Sequence, residues 1–148
     1  GALTCGLLFK LYPKLPLATL ITPNLYELAR LTDTDIISDT QSMLKAARAL
    51  SHDTGTSVLA KGGHLTDTAS DLLYFVDDTF SWFEGKRYES SNTHGTGCTL
   101  SCAIASNLAL GYTLSESVKH SKDYVAGAIR DGLNIGQGNG PLNHCYNL

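Results

Sequence analysis

Apolar positions along the chain alternate between short continuous runs and a helical period. Leu17–Thr22 (LATLIT) is an apolar run stopped by Pro23, and it predicts a buried strand. Asn24 then opens a short helix, Leu25–Leu31, followed by a polar stretch, Thr32–Asp35. Ser38, with Gln41 three residues on, has the form of a capping box. Met43, Leu44, Ala47 and Leu50 follow at helical spacing and predict an amphipathic helix to about His52, stopped by Gly55. Ser57–Lys61 (SVLAK) reads as a second buried strand, broken by Gly62-Gly63.

Asp71–Val76 (DLLYFV) is a third strand, and Asp77-Asp78 is a turn. Phe80–Phe83 and Lys86–Glu89 are expected to form a hairpin around Glu84-Gly85. From Gly95 to Gly111 the chain is rich in Ala, Ser and Leu, which suits a closely packed helix. Thr113 and Glu116 form a further capping box, starting a helix with Leu114, Val118, Val125 and Ile129 on one side. The tail, Gly136–Leu148, is glycine-rich and then polar. Strands alternating with helices imply parallel βαβ units, and the hairpin implies an antiparallel edge. The expectation is an α/β fold, a mostly parallel sheet in a single domain over residues 1–148. So few strands precede the hairpin that the sheet is expected to be incomplete on its N-terminal side.

The 148 residues are 43% hydrophobic and 17% charged, enough for one core. A net charge of −3 argues against a nucleic-acid partner, which would call for a basic face. No apolar run approaches the roughly 20 residues of a membrane span. The apolar start, Gly1–Phe9, lacks the basic region and small-residue cleavage site of a signal peptide. Cys5, Cys98, Cys102 and Cys145 match neither a CxxC pair nor a zinc pattern, which favours a reducing, cytoplasmic setting. Cys98 and Cys102 lie four apart, on one helical face, and are read as two small buried residues.

Three junctions carry groups suited to phosphate. His94-Gly-Thr-Gly-Cys98 precedes the small-residue helix. Glycines there let backbone N–H groups approach a ligand, and a helix N-terminus adds partial positive charge and unsatisfied donors. A Gly-x-Gly turn is as often just a tight connection, and this one is neither a Walker A loop nor a dinucleotide fingerprint. Asn24 and Glu27, at the first strand-to-helix junction, have the spacing to hold a hydrated magnesium ion, but the same spacing describes a helix cap, the commoner case. Lys61 ends a strand, where its charge could neutralise phosphate, although a single lysine at a turn is usually a surface residue. His64 and His94 read as loop histidines.

Four ordered motifs add a resemblance. Thr22-Pro-Asn-Leu-Tyr-Glu27, Val58–Leu65 (VLAKGGHL), Asn92–Ser101 (NTHGTGCTLS) and Gly136–His144 (GQGNGPLNH) resemble the hydroxymethylpyrimidine/phosphomethylpyrimidine kinases of thiamine biosynthesis, in the ribokinase-like superfamily. The match runs from about Leu15 to His144, and Gly1–Lys14 matches poorly. The family extends further on the N-terminal side, where the first strands and most of the pyrimidine pocket belong.

The resemblance implies a three-layer ribokinase-like fold and ATP-dependent phosphorylation of 4-amino-5-hydroxymethyl-2-methylpyrimidine and then of its monophosphate. It implies that Gly95, Thr96 and Gly97 donate N–H groups to the transferring phosphate, with Thr93 and Lys61 at the ATP. Asn24 and Glu27 would organise Mg2+ and its waters, and the helices from Leu100 and Thr113 would help enclose the adenine. Cys98 stands where many relatives have a catalytic Asp, beside the substrate hydroxyl. Thiols are poor bases at neutral pH, but a helix N-terminus favours their thiolate form. Family members often pair as homodimers through the sheet or nearby edges. Two other readings remain: a pyridoxal kinase of the same fold, and a non-catalytic half-domain that binds nucleotide weakly or completes another chain.

Overall fold

In the computed structural model, the structure describes residues 12–63, 65, 70–85, 95–131, 133 and 140–147. The chain divides into two compact units, Gly1–Arg87 and Tyr88–Leu148.

The first unit opens with a 3-10 helix, Tyr12–Leu17, that contains Pro16. Only Leu20–Ile21 of the apolar run becomes strand β1, and it is half-buried, while Leu17 is 86% exposed. Pro13 and Pro16 explain the shortfall. Each presets φ near the helical value and withholds an N–H from a ladder, so the chain tightens into an i→i+3 turn instead. Thr56 Oγ1 ties that turn down by donating to the Leu15 carbonyl at 3.0 Å.

Helix α1, Leu25–Leu31, has the expected bounds, because its cap is local. Helix α2, Thr40–Thr54, is capped by Asp39 with Ser42, one residue later than the expected Ser38 and Gln41. The Asp39 carboxylate accepts from the Ser42 N–H at 2.8 Å and also places a negative charge at the helix N-terminus. Met43, Ala46, Ala47 and Leu50 form the buried stripe of α2, and Gly55, at φ 64°, ends it in the left-handed region.

Strands β2 (Ser57–Ala60), β3 (Asp71–Tyr74) and β4 (Phe80–Phe83) complete a sheet of order β1-β2-β3-β4. β1 and β2 are parallel, whereas β2–β3 and β3–β4 are antiparallel. The sheet is therefore mixed, with its antiparallel part reaching one strand further inward than a lone edge hairpin. β4 pairs back with β3, Asp71 opposite Phe83 and Tyr74 opposite Phe80, around the Asp77-Asp78 turn. Asp78 takes φ 65°, and Thr79 donates from both N–H and Oγ1 to Asp77 Oδ1 at 3.1 and 2.6 Å. An Asp-rich turn of this kind accepts the left-handed backbone that a tight hairpin needs. Residues 86–89, the partner expected for β4, lie outside the described residues.

Leu25, Leu28, Met43, Leu50, Val58, Leu72 and Tyr74 close the core of this unit. Each large side chain buried there contributes about 1.5–3 kcal/mol. Every residue of β2 and β3 is buried.

In the second unit, helix α3 spans Thr96–Ala109 and helix α4 spans Leu114–Arg130. Thr113 and Glu116 cap α4 reciprocally, and Gly111, at φ 91°, turns the chain between the helices. The tail folds back on α4: the Asn143 N–H donates to the Ala128 carbonyl at 3.1 Å, and Asn143 Nδ2 donates to Asp131 at 2.7 Å. No described helix is long and apolar enough to cross a membrane.

Candidate functional site

In the first unit the site begins where β1 and β2, being parallel, end on the same side. The Lys61 N–H donates to the Pro23 carbonyl at 3.0 Å, and Asn24 and Lys61 form a parallel bridge beyond the strands proper. Asn24 and Lys61 are thus neighbours at the carboxyl ends of adjacent strands, the edge at which α/β sheets hold ligands.

Asn24 and Glu27 make a complete capping box. The Glu27 N–H donates to Asn24 Oδ1 at 2.9 Å, and the Asn24 N–H donates to Glu27 Oε2 at 2.8 Å. That box leaves the second oxygen of the Glu27 carboxylate for other work. One carboxylate oxygen plus waters and substrate phosphates is a donor set that suits Mg2+, which keeps much of its hydration shell.

Gly62 continues the site after Lys61. Its N–H donates to Asp71 Oδ1 at 2.8 Å, and its carbonyl accepts from the Leu65 N–H at 2.9 Å. Asp71 is 8% exposed at the head of β3. No motif in the sequence marks it; the only signal is that a carboxylate leading a buried apolar strand must find a donor.

In the second unit, Gly95 caps α3 at φ 83°. Nothing lies within 4 Å of a Cβ built there, so backbone conformation and not space requires the glycine. Gly95 has no side chain with which to cap this N-terminus, whereas the N-cap residues of α1, α2 and α4 each complete a capping box. The first intrahelical bond runs from the Thr99 N–H to the Gly95 carbonyl at 2.9 Å, so the N–H groups of Gly97 and Cys98 precede the α3 ladder. They add to the positive end of the helix dipole at that terminus, a ready anion site.

Cys98 and Cys102 are exposed free thiols on α3, not the buried pair expected. They border an open groove of about 670 Å³ that continues along Asn107, His120, Tyr124 and His144. Asn107 Nδ2 spans the two helices to Ser121 Oγ at 3.3 Å, and the Tyr124 and His144 rings stack with centroids 6.3 Å apart. Thr93, His64, His94 and the Asn92 end of the loop lie outside the described residues.

The family model for phosphomethylpyrimidine kinase matches residues 9–143. A hydroxymethylpyrimidine/phosphomethylpyrimidine kinase of Rhizobium meliloti is 46% identical over 134 residues, 89% of this chain and 50% of that protein. The pyridoxal kinase of Staphylococcus aureus in complex with ADP superposes with a TM-score of 0.88 at 34% identity, over 99% of this chain and 54% of its own. A phosphomethylpyrimidine kinase of Clostridium difficile superposes at 0.68 with 36% identity, over 82% of this chain and 48% of its own. The chain thus spans about half the length of the relatives it matches. The fold is ribokinase-like, and the chain belongs to the phosphomethylpyrimidine kinase family.

Proposed function

We propose that the chain is the ATP-binding part of a kinase that phosphorylates 4-amino-5-hydroxymethyl-2-methylpyrimidine and then its monophosphate, in a cytoplasmic setting. The observation that carries the reading is the α3 N-terminus: a glycine, Gly95, held left-handed at the N-cap, in a chain of this family. Phosphoryl transfer needs positioning and charge stabilisation more than covalent chemistry from the protein.

The roles follow from that need. The N–H groups at Gly95, Thr96 and Gly97 stabilise charge on the transferring phosphoryl group. Lys61, with its backbone held at the strand ends, neutralises ATP phosphate charge. Thr93 serves in ATP binding. Glu27, oriented by Asn24, holds Mg2+ through its waters, and the ion when bound offsets phosphate charge. Cys98 stands beside the substrate hydroxyl and aligns it. The groove along α3 and α4 takes the adenine, with Tyr124 and His144 as stacking surfaces. The test is an assay of the intact gene product with ATP, Mg2+ and the pyrimidine. Absence of a phosphorylated product sinks the proposal.

A second reading has its own support, because the superposition on a pyridoxal kinase is closer than that on a phosphomethylpyrimidine kinase. Comparing kcat/KM for the pyrimidine and for pyridoxal separates the two.

A further inference from the structure

We infer that Asp71 is a positioning residue for Lys61, acting through the backbone of Gly62. The inference rests on the reading of Lys61 as the cation at the ATP phosphates.

Lys61 and Gly62 are held by hydrogen bonds from three directions. The Lys61 N–H is tied to Pro23 on the β1 side at 3.0 Å, and the Gly62 carbonyl is tied forward to the Leu65 N–H at 2.9 Å. The third tie comes from the β3 side. The β2–β3 ladder ends at the pair Ala60–Leu72, and Gly62 lies two positions beyond it. The Asp71 carboxylate takes over there by accepting from the Gly62 N–H at 2.8 Å. The Ser70 carbonyl lies instead against the Gly62 Cα, where only a glycine leaves room for it. A Cβ at Gly62 would lie 1.9 Å from that oxygen.

The result is a lysine whose own backbone is anchored on one side and whose successor is anchored on the other. Leu65, closing the turn, is itself in the core, so the turn is seated on the body of the unit. A flexible four-carbon lysine delivers its charge to one place only if its backbone is fixed, and preorganisation of this kind is what makes a charge effective toward phosphate. Asp71 supplies the only one of these three ties that a side chain makes, so it can be removed by substitution without altering the backbone atoms.

The experiment compares wild type, Asp71→Asn, Asp71→Ala and Lys61→Ala, plus the double variant Asp71→Ala/Lys61→Ala, all in the intact gene product. Two quantities are measured: amide hydrogen exchange at Gly62, and the Kd for ATP with Mg2+. Asp71→Ala is expected to speed Gly62 exchange about tenfold or more and to raise the Kd about tenfold. Asp71→Asn keeps an Oδ1 acceptor and restores both to within about threefold of wild type. In the Lys61→Ala background, Asp71→Ala adds nothing further to the Kd, because the residue acts through Lys61.

Unchanged Gly62 exchange in Asp71→Ala overturns the inference. So does fast exchange with unchanged Kd, which makes Asp71 a tether alone, and so do additive effects in the double variant. Asp71→Glu, which displaces the carboxylate by one methylene, is judged by the same criteria if Asp71→Ala does not fold. A wild type with no ATP affinity overturns the Lys61 reading, and with it the role of Asp71 toward ATP. Slow Gly62 exchange in that wild type, lost in Asp71→Ala, then places the failure in the nucleotide reading and not in the clamp.

Discussion

The ring of Tyr146 fills the space where a side chain at Gly127 would stand. A Cβ on Gly127 would lie 2.2 Å from Tyr146 Cζ, closer than any real contact. Gly127 is a buried residue in the last part of α4, so the helix accepts a weak helix former in order to seat the tail. Gly127→Ala is expected to gain up to about 1 kcal/mol of helix propensity and to lose about 1–3 kcal/mol by overpacking. The ring is the end of a rotatable side chain, so it yields before the helix does. The expected outcome is a small change in Tm with faster hydrogen exchange at residues 143–147. A variant with native tail protection would show that the ring does not depend on the glycine.

A charge cluster pins the β3–β4 turn to α2. Asp78 Oδ1 accepts from Tyr74 OH at 2.6 Å, lies 2.6 Å from His52 Nε2, and is 3.8 Å from Arg48 Nε. The Tyr74 hydrogen bond, then that of His52, holds the Asp78 carboxyl below its ordinary 3.8, while burial and the Asp78 bond push the Tyr74 phenol up. A depressed carboxyl contributes stability above its unfolded value and loses it as pH falls through its folded value. Asp39, Asp77 and Glu116 are lowered too, each mainly by hydrogen bonds at its cap or turn, so the acid limb is shared. Asp78→Asn is expected to lower Tm at neutral pH and to flatten its decline below pH 3.8. Tm measured by circular dichroism from neutral to strongly acidic pH checks this; parallel curves for the two proteins contradict it.

What could be read from the chain was what is local. Asn24 with Glu27 and Thr113 with Glu116 announce their helices because both partners of each cap lie within one turn, and Gly55 and Gly111 end or join elements at positive φ. Pairing was less legible. Asp77-Asp78 reads as a turn in the sequence, and only the contact of β4 with β3 shows that it closes a hairpin. The run from Leu17 has the apolar character of a strand, but Pro16 holds its start in a 3-10 turn. At the site, the Asn24–Lys61 bridge and the Gly62–Asp71 bond join residues far apart in sequence. No periodicity encodes them.

Gly97 is the position at which the anion-site reading can be tested with little structural cost. It is the second residue of α3, and valine is at least as good a helix former as glycine. Gly97→Val is therefore expected to leave Tm unchanged or slightly raised. Its branched side chain should keep phosphate from the first-turn N–H groups and raise the ATP Kd about tenfold or more. Isothermal titration with ATP and Mg2+ measures the effect. An unchanged Kd and an unchanged rate count against α3 as the phosphate site.

Cys98 tests the other side of the same helix end. It is exposed at the third position of α3, so its truncation removes little packing, and a surface change of that kind stays within about 0.5 kcal/mol. If the thiol aligns or helps deprotonate the substrate hydroxyl, Cys98→Ala lowers kcat at least about tenfold, the lower range of a positioned acid–base group. The Kd for ATP should hardly move, because the backbone donors remain. Cys98→Ser separates the two contributions: a hydroxyl can still align the substrate but is far harder to ionise than a thiol. Recovery in Cys98→Ser indicates alignment, and equal loss in both variants indicates a thiolate. A Cys98→Ala enzyme with wild-type kcat and native Tm removes the residue from the mechanism.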